Sequence, residues 1–333
     1  MELQLINNNS TVVRQTQEIT YTPFVEISTD KPFIQANTES YSLEEIRDKQ
    51  IIPVFHKDNE PLISHADFIT CASEVLAEYY FGERISRPSI RVSHPIKGRV
   101  PEAKHKPANE LNEHEKTIYY ERMAFIIEMP GICEDIGGNE LTLTFGGVKA
   151  FNLDNLYTKK GSDEHFKIFI GFQNKVCTNL CVWTDGFMND LKVNSLGQLK
   201  SCIRILIENY NASYHLKSLR KFSEFSITEH QFAQLIGRGR LYQHLPKEMQ
   251  KEIPELLFGD NQLGMVCKDY FRDESFCRDG NGNISLWKLY NLFTGANKNS
   301  YIDSFLDRSV NAFQFVERIM MGLENKSYCW YLN

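Results

Sequence analysis

Seven cations fall within 23 residues of this chain, at Arg84, Arg87, Arg91, Lys97, Arg99, Lys104 and Lys106, opposed there only by Glu102. Arg87, Ser89, Arg91 and Ser93 alternate with Pro88, Ile90, Val92 and His94, and an extended chain places every second side chain on one face. A row of this kind can follow a phosphate backbone, because each neutralised phosphate releases condensed counterion. Tyr79, Tyr80, Phe81, Tyr119 and Tyr120 lie close by in sequence, and aromatic rings stack on unpaired bases whatever their identity. The chemistry these residues point to is nucleic-acid binding, with single strands preferred. The competing reading pairs the cations with the acidic first 83 residues and puts the rings in the core.

Other residues invite catalytic or metal chemistry and fail on spacing. Cys177 and Cys181 fall in a segment, Lys175 to Trp183, that reads as a strand. At ~3.3 Å per residue their Cα atoms would stand roughly 13 Å apart, whereas two thiolates on one zinc lie within roughly 4 Å. His94, His105 and His114, with Glu110, Glu113 and Glu115, match no helical metal motif, and Pro95, Pro101 and Pro107 interrupt the segment. Asp279 to Ser285 echoes the centre of a calcium loop, but Cys277 and Lys288 occupy the positions of its two terminal carboxylates. Asp269, Asp273, Glu274 and Asp279 suit a solvated turn better than a two-metal site. Gly146-Gly147, Gly237-Arg238-Gly239-Arg240 and Gly280-Asn281-Gly282 lack the Walker lysine and the dinucleotide spacing, and no GxSxG elbow is present. No catalytic residue, cofactor or metal is therefore assigned.

These residues are carried by 333 residues, of which 42% are apolar and 24% charged, enough for a substantial core. The net charge of −6 is unevenly spread: residues 1–83 hold 5 basic and 14 acidic side chains, residues 84–106 hold 7 and 1, and residues 107–333 hold 25 and 28. The eight cysteines are scattered through apolar segments, as reduced buried thiols are. Met1 to Thr11 is polar and Asn-rich, without the apolar stretch of a secretory signal, and no apolar run approaches the roughly 20 residues that span a bilayer. A cytoplasmic protein with no membrane span is expected.

The hydrophobic period divides the chain into three regions. Residues 1–41, polar and broken by Pro23 and Pro32, predict a loosely held arm. Residues 42–195 predict an α+β region. Ser42/Glu45 and Ser64/Asp67 start two helices, and Ile51 to Phe55 reads as an edge strand. Tyr119–Met129, Glu140–Phe151, His165–Phe172 and Lys175–Trp183 form a central, mostly antiparallel sheet, punctuated at Gly137-Gly138-Asn139, Lys160-Gly161-Ser162 and Asp185-Gly186. Residues 196–333 predict a helical region packed on that sheet. Its helices follow Leu196, a Thr228/Gln231 capping box, and a last N-terminus at Ser300 and Asp303.

The stretches IRVSHPIKGRVPEAKHKP (90–107), YYERMAF (119–125), GGVKAFNLDNLY (146–157), IGFQNKVCTNLC (170–181) and WKLYNLFTGANKNSYIDSF (287–305) resemble a bacterial family of unknown function carried on conjugative and integrated elements. Through the Val176-Cys177-Thr178-Asn179 segment and the following helices, the chain is more distantly similar to the phage/plasmid-like protein family of unknown function. The resemblance implies a mobile-element setting and transfers no catalytic residue. The reading is thus a non-enzymatic accessory that binds single-stranded nucleic acid through the seven cations, with Tyr119 and Tyr120 stacking on bases. One alternative is a protein-interaction factor, such as an inhibitor of a host defence protein, whose acidic surface attracts a basic host protein. The other is an enzyme whose site only the fold assembles.

Overall fold

A computed structural model describes residues 24–25, 31–50, 62–154 and 163–333. The first half of the chain forms β1 (Phe24–Val25), β2 (Glu39–Ser40), α1 (Leu43–Lys49), α2 (His65–Tyr79), β3 (Ile85–Ser86), β4 (Ser89–Val92), β5 (Ile96–Arg99), β6 (Lys116–Tyr119), β7 (Arg122–Ile136), β8 (Asn139–Ala150) and α3 (Phe151–Asp154). The second half adds β9 (Glu164–Asn174), β10 (Leu180–Cys181), β11 (Phe187–Val193), α4 (Leu196–Asn209), α5 (Ala212–Phe222), β12 (Ser226–Ile227), α6 (Glu229–Tyr242) and α7 (Lys247–Gln250). The chain closes with α8 (Asp260–Arg272), β13 (Ile284–Ser285), α9 (Leu286–Asn297) and α10 (Ile302–Glu324). This is the expected α+β fold. Strands after Leu196 are limited, among the described residues, to the two-residue pair β12 and β13.

The central sheet has seven strands in the order β10-β9-β8-β7-β4-β2, with β11 also on β9, and every pairing is antiparallel. Its longest hairpin, β7–β8, turns through Gly137 and Gly138 at φ +61° and +78°, a two-residue turn that needs positive φ at both positions. Alternation gives the sheet two apolar faces. Phe125, Ile127, Phe145, Phe166, Ile168, Ile170 and Phe172 join Phe68 of α2 and Leu199 and Ile203 of α4 in the larger core. Ala124, Ile126, Val148 and Phe169 pack on Ile302, Phe305, Leu306 and Val310 of α10. Gly146-Gly147 serves this packing. A Cβ at Gly147 would lie 2.5 Å from the Phe68 ring, and one at Gly146 would lie 2.7 Å from Phe169.

The capping boxes at Ser42/Glu45, Ser64/Asp67 and Thr228/Gln231 form as expected and fix the starts of α1, α2 and α6. Other expectations are corrected. Residues 175–178 are a turn, not a strand: the Asn174 carboxamide accepts from Val176 N (2.9 Å) and Thr178 adopts φ +59°. The α10 N-cap is Tyr301, with no side-chain cap, because Ser300 Oγ bonds Asn297 Oδ1 (2.7 Å) instead. Residues 31–41 are docked, with Phe33 and Ile34 buried beside α10 and Gln35 N and Ala36 N donating to Lys298 O. The expected strand at 51–55, and the arm before residue 31 apart from β1, lie outside the described residues. Among the described residues no helix is long and apolar enough to cross a membrane.

A buried polar network joins the 174–181 corner of the sheet to α9, ten of whose twelve residues are buried. Asn291 Oδ1 accepts from Asn174 Nδ2 (3.3 Å) and Asn179 Nδ2 (3.4 Å), and Asn179 Nδ2 also reaches Asn291 O (3.0 Å). Lys298, just past α9, donates to Thr178 Oγ1 (2.7 Å) and to Cys177 O. Burial pushes its ammonium down to about 8, because the acceptors it reaches are neutral.

Two outcomes follow from this network. Asn291→Ala removes the oxygen that Asn174 and Asn179 share, while each donor keeps one other acceptor, Asn139 Oδ1 (3.3 Å) and the residue 291 carbonyl (3.0 Å), and so lowers unfolding free energy in urea titration by about 1–2 kcal/mol, the net worth of one or two hydrogen bonds. For Lys298, the unfolded chain holds a proton that the folded chain has released between pH 8 and about 10.4. This group therefore adds stability as pH rises through that window. Relative to Lys298→Met, the wild type gains on the order of 2 kcal/mol between pH 7 and pH 10, measured as the difference between their urea curves.

Candidate nucleic-acid interface

Strand pairing divides the basic segment. Arg84 and Arg87 flank β3, where Ser86 Oγ accepts from Glu128 N (2.7 Å). Lys97 and Arg99 lie on β5, whose partner β6 ends three residues before Arg122, the first residue of β7, whereas Glu128 lies at that strand's middle. Six residues of β7 separate the two places, roughly 20 Å at strand rise. Arg91 lies between them on β4, a strand interior to the sheet. Its guanidinium bonds Thr38 Oγ1 (2.9 Å) and Thr38 O (2.5 Å), and burial lowers its pKa against the opposing pull of Glu39. The alternating row expected from Arg87 to Ser93 is therefore not a free phosphate-tracking face. Arg91 braces β4 to the segment before β2.

The expected stacking rings are also corrected. Tyr119 and Tyr120 are 3% and 1% exposed. Tyr120 packs on Tyr41 (5.0 Å between centroids) and Tyr119 on Phe151 (5.7 Å). Burial raises both hydroxyl pKa values, so these rings belong to the core.

What remains is a two-stranded ribbon. In β5–β6, Lys97 pairs with Ile118 and Arg99 with Lys116, and directly opposed residues share a face. Gly98 permits the close pairing, since a Cβ there would lie 2.7 Å from Thr117 Oγ1. Beside the ribbon is a groove of about 780 Å³ bounded by Asp48 and Lys49 of α1, by Lys97, Arg99 and Lys116, and by Glu113 and His114 of the connection. Lys97 is exposed and has no carboxylate partner among the described residues. Arg99 donates to Lys106 O, which holds its guanidinium by the ribbon without neutralising it. Lys116 pairs with Glu113 (2.5 Å) and Lys49 with Glu45 (3.1 Å). Lys106 is taken by Glu115 (2.5 Å), whose carboxyl it holds below its usual range, and Lys104 stays exposed. The groove thus unites Lys97 and Arg99 with two cations that the sequence reading missed. Lys116 lies ten residues past the basic segment and Lys49 lies far upstream, so neither carries a local signal.

The second titratable assembly is Lys149 with Asp154 (2.9 Å) and Glu164 (2.6 Å), its ammonium fully buried and 4.1 Å from the Phe166 ring centroid. Glu164 also accepts from Ile63 N (2.9 Å), and Asp154 from His165 N (2.8 Å). Nearby His65 contacts Tyr120 O through Nε2 (2.8 Å), and burial pushes it down to about 3, so it is neutral. These charges satisfy one another while tying β8, α3 and β9 to the start of α2, which is what a structural ion cluster does.

The remaining candidates resolve into local structure. Asp279 caps its own turn, accepting from Asn281 N (2.9 Å) and Asn283 N (2.8 Å), which hold its carboxyl below the usual range. Cys181 is buried and its thiol is pushed up by desolvation, while Cys177 sits against Asn291. His94 faces Glu39 (3.4 Å), and His105 is exposed. Among the described residues no three His, Cys, Asp or Glu side chains are placed to hold one metal ion.

No curated protein and no solved structure matches the chain. The family described as "Domain of unknown function, B. Theta Gene description (DUF3871)" matches residues 14–332. With a match running over nearly its whole length, the chain belongs to the DUF3871 family of unknown function.

Proposed function

We propose that the protein is a non-enzymatic accessory that binds single-stranded nucleic acid along the β5–β6 ribbon. The observation that carries this reading is the meeting of Lys49, Lys97, Arg99 and Lys116 around one groove in a chain whose net charge is −6. A cationic recess on an otherwise acidic body concentrates the field on a polyanion and holds it there. Three of the cations stand on a ribbon of four-residue strands and the fourth, Lys49, at the end of the short helix α1, so no helix face of the kind that enters a major groove carries them, which favours an unpaired strand. The resemblance to proteins of conjugative and integrated elements favours, as part of this proposal, a role in a mobile element's handling of its strands in the cytoplasm.

Titration of labelled single-stranded DNA, single-stranded RNA and duplex at several salt concentrations tests the reading. Four engaged cations give a log–log salt slope near −3 for a single strand, at about −0.7 per phosphate. Replacing Lys49, Lys97, Arg99 and Lys116 together by Gln removes most of that slope and of the affinity. Arg84→Gln with Arg87→Gln, some 20 Å away along the sheet, leaves both nearly unchanged. Wild-type protein that retains no nucleic acid at about 50 mM salt, where phosphate contacts are strongest, overturns the proposal in favour of a basic protein partner.

A further inference from the structure

Tyr301 stands out to solvent, 68% exposed, between two recesses of about 210 and 490 Å³. Both recesses are bounded by Tyr301 and Asn37. The smaller one adds Ser93, His94, Ile96 and Arg122. The larger adds Asn261, Gln262, Met265, Asn299 and Arg308. The exposed carboxamides of Asn37 and Asn261 make no side-chain hydrogen bond among the described residues, and Asn299 reaches only Met265 Sδ (3.4 Å).

The charged groups here are already engaged. Arg122 lies 3.5 Å from both Glu121 and Asp303. Arg308 donates to Leu257 O (2.9 Å) and Ser304 Oγ (3.2 Å). A phosphate in the smaller recess would meet Glu121 beside Arg122, and the larger recess holds the single, already hydrogen-bonded Arg308 among neutral groups, so neither gathers cations for an anion. Their open chemistry is an aromatic face flanked by uncommitted amides. That combination fits a nucleobase, which offers a ring to stack and an edge of mixed donors and acceptors that carboxamides match.

The recesses adjoin the cationic ribbon. Ile96 borders the smaller recess and the next residue, Lys97, borders the ribbon groove, the two side chains pointing to opposite sides of β5. A strand whose phosphates lie on the ribbon can therefore pass its bases round the edge of β5 toward Tyr301.

We propose that Tyr301, flanked by Asn37, Asn261 and Asn299, is a nucleobase-stacking subsite for the strand held on the β5–β6 ribbon, an inference that rests on the nucleic-acid reading above. The test compares a single strand of about ten nucleotides, within the usual site size, with an abasic strand of equal length. The proteins are the wild type, Tyr301→Ala and Tyr301→Phe, with unfolding curves confirming that each is folded. Loss of the ring weakens binding of the base-containing strand roughly tenfold, leaves the abasic strand and the salt slope unchanged, and is rescued by phenylalanine. The wild type binds the abasic strand about as weakly as Tyr301→Ala binds the complete one. Equal wild-type affinity for the two strands, or an equal loss for both in Tyr301→Ala, overturns the subsite and leaves backbone binding standing. Failure of the wild type to retain either strand at low salt overturns both.

Discussion

The corner at residues 174–181 is the constraint on which the rest of the structure depends. There the chain leaves β9, turns through a residue in the left-handed region, and re-enters the sheet as β10 under a nearly fully buried helix. The turn surfaces at Val176 and then plunges, so that Thr178 and Asn179 are buried and their polar groups must find partners inside. Asn174, Asn179, Asn291 and Lys298 provide those partners. The same lysine residue extends the reach of the network: its carbonyl accepts from Gln35 N and Ala36 N, which holds residues 31–38 against α10 and puts Thr38 beside Arg91. The immobilisation of Arg91 is thus the far end of a chain of contacts that begins at the sheet corner.

Two buried lysines show what a partner's charge decides. Lys149 meets two carboxylates at hydrogen-bond distance, so its charge is compensated where it lies. Lys298 meets a carbonyl and a hydroxyl, which satisfy its donors and leave its charge uncompensated, so desolvation depresses its pKa. Hydrogen bonding and charge balance are separate requirements: Lys149 meets both, and Lys298 meets only the first. The cations of the β5–β6 groove are a third case. Solvated, and facing fewer carboxylates than their own number, they keep a field that reaches beyond the protein.

Much of the fold was legible because its determinants are local. Capping boxes need residues three apart, and the nearly continuous apolar runs of β7, β8 and β9 mark strands buried on both faces. The misreadings arose where a distant partner decides. Lys175–Trp183 has the composition of a strand, yet only Leu180–Cys181 pairs with the sheet, because the Asn174 carboxamide together with Lys298 makes residues 175–178 a turn. Ser300 has the type of an N-cap, and Asn297 takes its hydroxyl. In β11, Asn189 and Asp190 blur the period at the bulge between Met188 and Leu191, so the pairing with β9 had no clear local signature. The candidate site was legible as a charge excess and illegible as a surface, since Lys49, Lys116 and Tyr301 come from three other parts of the chain.

The division of the seven cations follows from strand position. A central strand has neighbours on both edges, and in a sheet covered on both faces a long side chain on it must find a partner close by. Arg91 on β4 meets that condition through Thr38, and its guanidinium is thereby withdrawn from any ligand. A ribbon outside the main sheet is under no such demand: β5 is paired with β6, and its alternate side chains can remain in water. Similar residues within eight positions of one another therefore take opposite roles, one structural and the other available for binding. Neither residue type nor spacing encodes that difference. It is set by the register that pairs Glu39 with Val92 and Lys97 with Ile118, and so by the long-range contacts that fix the sheet.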